Sequence, residues 1–397
     1  MYIAESQHNI GLKNEFEASG EKMMVKTQFI KLFSQSNPFR FECGKTLESV
    51  TVAFQSFGKL ASSKDNVVLV NHALTGNAHI TGIIGNDELE NSKSTNQLYQ
   101  YNNMFLNKEG WWAPLIGPGK AIDTNKYFVI CPNVLGSCYG TTGPASINLD
   151  SNELFRMNFP EVNVRDMVRV QKELFDFLGI SKIKFAVGGS LGGMQVLEWA
   201  IMFPDLIEKI MPIATSAAHS AWAIGLNEAS RNAIVNDPEW NNGNYKIQPQ
   251  QGISLARKIA MISYRSYNSF NEKFDRSIKK VNSKGNIFEI ESYLNYQGTK
   301  LTKRFDANTY LYLSRAMDLH DVGRDRGGIS KALKGIKAKT KCVGIDSDIL
   351  YPVEEQKEIM NHIPKADYAE INSLHGHDAF LIEFEQLRKI IKEFIGN

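Results

Sequence analysis

The ten residues Ala186-Val187-Gly188-Gly189-Ser190-Leu191-Gly192-Gly193-Met194-Gln195 set one hydroxyl among four glycines. Glycine loses more backbone freedom on folding than any other residue, so such a cluster calls for a geometric reason. The preceding IKFAV is short, apolar and β-branched and predicts a buried strand. The following MQVLEWAIMF carries Met194, Leu197 and Ile201 at helical spacing and predicts a helix with one buried face. Ser190 is therefore expected where a strand turns sharply into a helix.

Gly188 to Gly192 fit G-x-S-x-G, the turn that presents a nucleophilic serine at the carboxyl end of an α/β-hydrolase sheet. Such a serine needs a base to take its proton and an acid to orient that base, in the chain order Ser, acid, His. Downstream, the predicted strand TKCVGI runs into Asp346-Ser347-Asp348, and both aspartates qualify as the acid. Ser373-Leu374-His375-Gly376-His377-Asp378 then offers two of the chain's eight histidines just before the last predicted helix. Ser190, Asp348 and His377 satisfy the order. An oxyanion needs two backbone N–H donors, one from the residue after the nucleophile and one from the loop after an early core strand. Leu191 and Leu74 hold those positions, and His72 beside the latter is expected to be structural.

Strands are predicted at Leu47–Phe57, Asn66–Asn71, Tyr127–Pro132, Ile207–Ala214 and Thr340–Ile345. Helices are predicted at Val164–Leu178 and Glu383–Ile395. This alternation implies an α/β fold with a mostly parallel sheet covered by helices on both faces. Residues 216–335 are helix-leaning, rich in Asn, Arg and Tyr, and without a buried-strand run, so they are expected to form a helical lid inserted into the core of residues 31–215 and 336–397. Residues 1–30 are expected to be a loose extension. A net charge of +2 over 397 residues gives no sign of a nucleic-acid partner. No window reaches the apolar length of a membrane span, which makes a cytoplasmic protein the expectation. The four cysteines lack metal or redox spacing and read as buried thiols, so no metal is expected.

The motifs NHALTGNAH, GSCYGTTGP, GGSLGGMQ, RNAIVNDPEW, FDANTYLYLSRAMDLHDVGRDRGG, DSDILYP and HGHDAFL together resemble the homoserine O-acetyltransferases, from about Phe39 to the C-terminus. The resemblance implies that Ser190 is the nucleophile, that Asp348 rather than Asp346 is the acid, and that His377 rather than His375 is the base. Leu191 stands where the family commonly has Met, and only its backbone N–H is needed there. Also implied are acetyl-CoA as co-substrate with no permanently bound cofactor, L-homoserine as acceptor, Arg231 and Asp378 as the partners of its carboxylate and ammonium, and a homodimer. A succinyl donor, a serine acceptor, or an esterase on the same scaffold remain open at this level.

Overall fold

The computed structural model describes residues 23–88, 101–282 and 285–396. Eight strands form the central sheet: β1 (Gln28–Leu32), β2 (Val50–Phe57), β3 (Val67–Asn71), β4 (Phe128–Pro132), β5 (Ile183–Gly189), β6 (Lys209–Ile213), β7 (Lys339–Ile345) and β8 (Ala366–Ile371). They lie in the order β1-β2-β4-β3-β5-β6-β7-β8. β2 is antiparallel to both its neighbours, β1 and β4; β4, β3, β5, β6, β7 and β8 are mutually parallel.

The central strands are apolar on both faces because both faces are covered. Along β3, Val67 and Leu69 enter one core, which contains α1 (Val164–Phe177) and α2 (Leu191–Met202). Val68 and Val70 enter the other, beneath the C-terminal helix Phe384–Ile395. In β5 the pairing register shifts between Ile183 and Phe185, which puts those two residues into opposite cores although they are two apart. α1 starts at a capping box, in which the Asn163 side chain accepts from the Asp166 N–H (3.0 Å) while the Asn163 N–H donates to the Asp166 carboxylate (3.2 Å). α2 departs from the single buried face expected of it. Every residue from Leu191 to Ala200 is buried, because the helix lies between the sheet and the segments that pack over it.

Between β6 and β7 the chain leaves the sheet for α3 (Ala221–Val235), α4 (Gln250–Tyr264), α5 (Tyr267–Phe274), α6 (Glu289–Thr302), α7 (Ala307–Asp318) and α8 (Ile329–Lys334). The stretch also carries an exposed antiparallel hairpin, Ile278–Asn282 with Gly285–Phe288, in a region read from the sequence as helical. Its two ends meet at a neck where the His219 N–H donates to the His320 carbonyl and the Val322 N–H to that of Ala217, both at 2.9 Å. Glu198 on α2, 1% exposed, fastens the far end by accepting from Arg165 (3.2 Å) and Arg326 (2.7 Å). The chain then returns through β7, α9 (Val353–His362), β8 and α10 (Phe384–Ile395).

The expected loose extension of residues 1–30 needs correction at its end. Met24–Val25 pairs with Ile83–Ile84, and Gln28 opens the edge strand against β2; residues 1–22 lie outside the described residues. Cys131, Cys138 and Cys342 are buried as expected, but Cys43 is exposed. Among the described residues no helix is long and apolar enough to cross a membrane, and no cluster of His, Cys, Asp or Glu is arranged to hold a metal ion.

Candidate active site

Ser190 follows β5 directly and caps α2 with φ 57° and ψ −125°, a region costing a non-glycine residue of order 1–3 kcal/mol. Its neighbours hold it there. The Ser190 N–H donates to the Ile213 carbonyl (3.0 Å), and the Ser190 carbonyl accepts from Thr215 Oγ1 (2.9 Å), Gly193 N–H (2.8 Å) and Met194 N–H (3.1 Å). The flanking glycines permit the crossing of strand and helix. A Cβ on Gly188 would meet the Gly192 carbonyl at 2.6 Å, and one on Gly192 would run into the Asn71 carbonyl. The four glycines thus answer to close packing around one strained serine.

Asp348 and His377 stand on the loops after β7 and β8. Asp348 is locked from its own turn, its Oδ1 accepting from the N–H groups of Leu350 (2.8 Å) and Tyr351 (3.0 Å), so that Oδ2 meets His377 Nδ1 at 2.7 Å. With Nδ1 donating to this carboxylate, Nε2 is left as the acceptor of the ring. Burial pulls the His377 pKa down, but the charge and hydrogen bond of Asp348, with a smaller contribution from Asp378, leave it raised above 6.5. The residues not chosen as acid and base have other work. Asp346 accepts from the Ser373 N–H (2.9 Å) and so stitches the acid loop to the histidine loop, while His375 faces Arg265 (3.3 Å) at a separate cavity.

Ser190 and His377 share a cavity of about 380 Å³ with Leu74, Arg257, Tyr264 and Asp378. Leu191 is the first residue of α2, so its N–H has no acceptor within the helix. The Leu74 N–H, in the loop after β3, bonds to no acceptor among the described residues. His72 is structural: its Nδ1 lies 2.9 Å from the Ala73 carbonyl, its Nε2 accepts from the Val134 N–H (3.2 Å), and burial lowers its pKa to about 4.

Arg231 is not brought to this cavity, which corrects the expectation that it faces the substrate. It lies on α3 in a different cavity, where it pairs with Asp318 (2.6 Å) and Glu228 (2.7 Å). Asp318 in turn meets His219 Nδ1 (3.2 Å), and His219 Nε2 lies 2.9 Å from the hydroxyl of Tyr351, which also interacts with Ser190. Arg231 therefore reaches the nucleophile only through a buried chain of polar side chains. Two guanidinium groups do line the cavity, those of Arg257 and Arg304; Arg257, on α4, is stacked over Tyr264 (5.5 Å) and has no carboxylate partner among the described residues. The sequence carried a signal for it: Arg257 and Tyr264 are seven apart, on one helix face, directly before the Arg265 that pairs with Asp378 (3.3 Å).

A family model of the alpha/beta hydrolase fold matches residues 66–376. The homoserine O-acetyltransferase of Carboxydothermus hydrogenoformans is 46% identical over 365 residues, which cover 89% of this chain and 92% of the relative. Among solved structures, homoserine O-acetyltransferase from Bacillus anthracis overlays with a TM-score of 0.83 at 27% identity, covering 94% of this chain and 98% of that one. Esterase E22 overlays with a TM-score of 0.82 at 28% identity, covering 94% and 100%. The sheet with its nucleophile turn, and the near full-length identity to curated relatives, agree: this chain belongs to the homoserine O-acetyltransferase family within the α/β-hydrolase fold.

Proposed function

We propose that the chain moves an acetyl group from acetyl-CoA to the side-chain hydroxyl of L-homoserine through an acetylated Ser190. His377, oriented by Asp348, takes the Ser190 proton as Oγ attacks the thioester carbonyl. The N–H groups of Leu74 and Leu191 receive the oxyanion, each contributing about 3–4 kcal/mol to the transition state. CoA leaves as the thiol with the proton returned from His377. In the second half-reaction His377 takes the proton of the homoserine hydroxyl as its oxygen attacks the acetyl carbonyl, and returns that proton to Ser190 Oγ as the acyl–serine bond breaks.

One observation carries the choice of acceptor: the cavity that holds Ser190 and His377 also holds Arg257, without a carboxylate partner among the described residues, and the carboxylate of Asp378. Arg257 suits the α-carboxylate of an amino acid through two parallel N–H bonds. Asp378, with its Oδ2 on Arg265, has Oδ1 for the α-ammonium. The helices inserted between β6 and β7 supply Arg257 and Tyr264, and act as a lid that limits water. Ester hydrolysis is the second reading, favoured by the overlay with esterase E22; it requires no charged pair beside the nucleophile.

The test is a quenched-flow experiment with acetyl-CoA alone, then with homoserine added. A Ser190-containing peptide that gains an acetyl group and loses it on adding homoserine supports the reading, and Ser190→Ala should abolish both events. Loss of the acetyl group at the same rate with and without homoserine would establish hydrolysis instead.

A further inference from the structure

Four cationic side chains, Lys108, Arg257, Lys300 and Arg304, line the cavity above Ser190, and among the described residues none of them forms an ion pair with a carboxylate. Asp378 is the only carboxylate lining the same cavity among the described residues, and it is held by Arg265. The crowding is felt. Partial burial and the charges of Arg304, Lys108 and Arg257 lower the pKa of Lys300. Like charges converging without counter-ions destabilise a fold, so an arrangement of this kind is explained by an anion that binds there.

The four are graded in depth. Lys108 and Lys300 are exposed, whereas Arg257 and Arg304 are partly buried. Arg304 is fixed by donating Nη1 to the Thr75 carbonyl (2.7 Å) and to the Tyr139 hydroxyl (3.1 Å), and Nη2 to Thr75 Oγ1 (3.2 Å), in the loop that carries Leu74. Lys108 belongs to the core and Lys300 to α6 of the insertion, so the two exposed charges come from different parts of the chain. The same lining includes Met104, Phe105, Trp111 and Leu301, apolar side chains suited to an uncharged arm.

We propose that Lys108 and Lys300, backed by Arg304, form the binding site for the phosphates at the nucleotide end of the thioester donor, with its pantetheine arm running along the apolar wall to Ser190. This deepens the acetyl-CoA reading and rests on it. Arg257 is left to the acceptor, which divides the cations between the two substrates.

The experiment compares acetyl-CoA with S-acetylpantetheine, which presents the same thioester without any phosphate, in the native chain and in Lys108→Ala/Lys300→Ala. Both positions are exposed, so the fold should tolerate the change. Hydrogen bonds to charged groups are worth enough that the native preference for acetyl-CoA, as the ratio of kcat/KM values, should collapse by roughly ten- to a hundredfold in the double variant. An unchanged ratio overturns the site. A second measurement needs no turnover: adenosine 3′,5′-bisphosphate should bind the native chain by calorimetry, more weakly as salt is raised, and lose that binding in the double variant. Absence of binding to the native chain also overturns the proposal. Failure of acetyl transfer with both thioesters, alongside salt-sensitive bisphosphate binding that the double variant loses, would instead sink the acetyltransfer reading and keep the phosphate site.

Discussion

Arg231→Ala separates two accounts of the same residue. If Arg231 held the substrate carboxylate, its loss would slow transfer to homoserine and spare acetylation of Ser190. The structure argues for a different outcome. Arg231 is 12% exposed and its partner Asp318 only 2%, at 2.6 Å, and removing one member of a buried pair costs about 3–5 kcal/mol. Asp318 keeps Asn227 (2.9 Å) and His219 (3.2 Å), so the lower end, about 3 kcal/mol, is the better expectation. For a chain of this size each kcal/mol shifts the melting temperature by roughly 2 °C, giving a drop of about 6 °C. The disturbance reaches Ser190 through His219 and Tyr351, and both half-reactions use Ser190, so both should slow by the same factor in quenched-flow measurements. Arg257→Ala should instead leave acetylation near normal and slow transfer by the roughly 30- to 4,000-fold that follows a lost charge partner of about 2–5 kcal/mol. Selective damage to transfer by Arg231→Ala, with an unchanged melting temperature, would refute this reasoning.

Other outcomes follow from the same geometry. His377 must be neutral to act as base, so kcat/KM should fall on the acid side with a midpoint above pH 6.5. In Asp348→Asn the main raising influence is gone, and burial outweighs the smaller one of Asp378; the residual rate, about 10⁴-fold lower, should have its midpoint below that value. Because the folded pKa is raised, the stabilisation from the protonated His377–Asp348 pair is full below pH 6.5 and is lost as pH rises through the folded value, which melting curves across pH would register. Gly192→Ala should abolish soluble expression or activity, since the new methyl has the Asn71 carbonyl in its path; a normally active variant would contradict the close crossing of strand and helix. Thiol labelling of the native chain should modify Cys43 rapidly and leave Cys131, Cys138 and Cys342 protected until unfolding, as mass spectrometry can read.

The elbow was legible because its geometry admits few residues: only glycines fit where α2 crosses the end of β3, and the serine between them marks the turn. The pairing of Asp348 with His377 was legible because an acid and a base for such a serine must sit just past the carboxyl ends of later strands. The edge strands were not. β1 is QFIKL, five residues in a polar stretch, and it is a strand because β2 lies beside it. β8, ADYAEI, is mostly half-exposed and alternates too weakly to stand out. The substrate residues posed a different difficulty. Motif position could nominate Arg231, but which helix face meets the cavity depends on how α3, α4 and α7 pack, and that packing turns Arg231 toward Asp318 and Arg257 toward Ser190. Arg304 and Lys108 are far apart in sequence, and nothing short of the folded cavity puts them together.

The neck joining His219 to His320 and Ala217 to Val322 has an architectural consequence. β6 and β7 are adjacent in the sheet, so the ends of the excursion are already held together by the core, and lengthening a loop whose ends are fixed costs little further entropy. Ser190, Asp348 and His377 all stand outside the neck, whereas Arg257, Lys300 and Arg304 stand within it. The serine and its two partners thus stand on the core, while much of the recognition, apart from Lys108 and Asp378, is carried on the inserted piece, and exchanging that piece would give the same serine a different clientele.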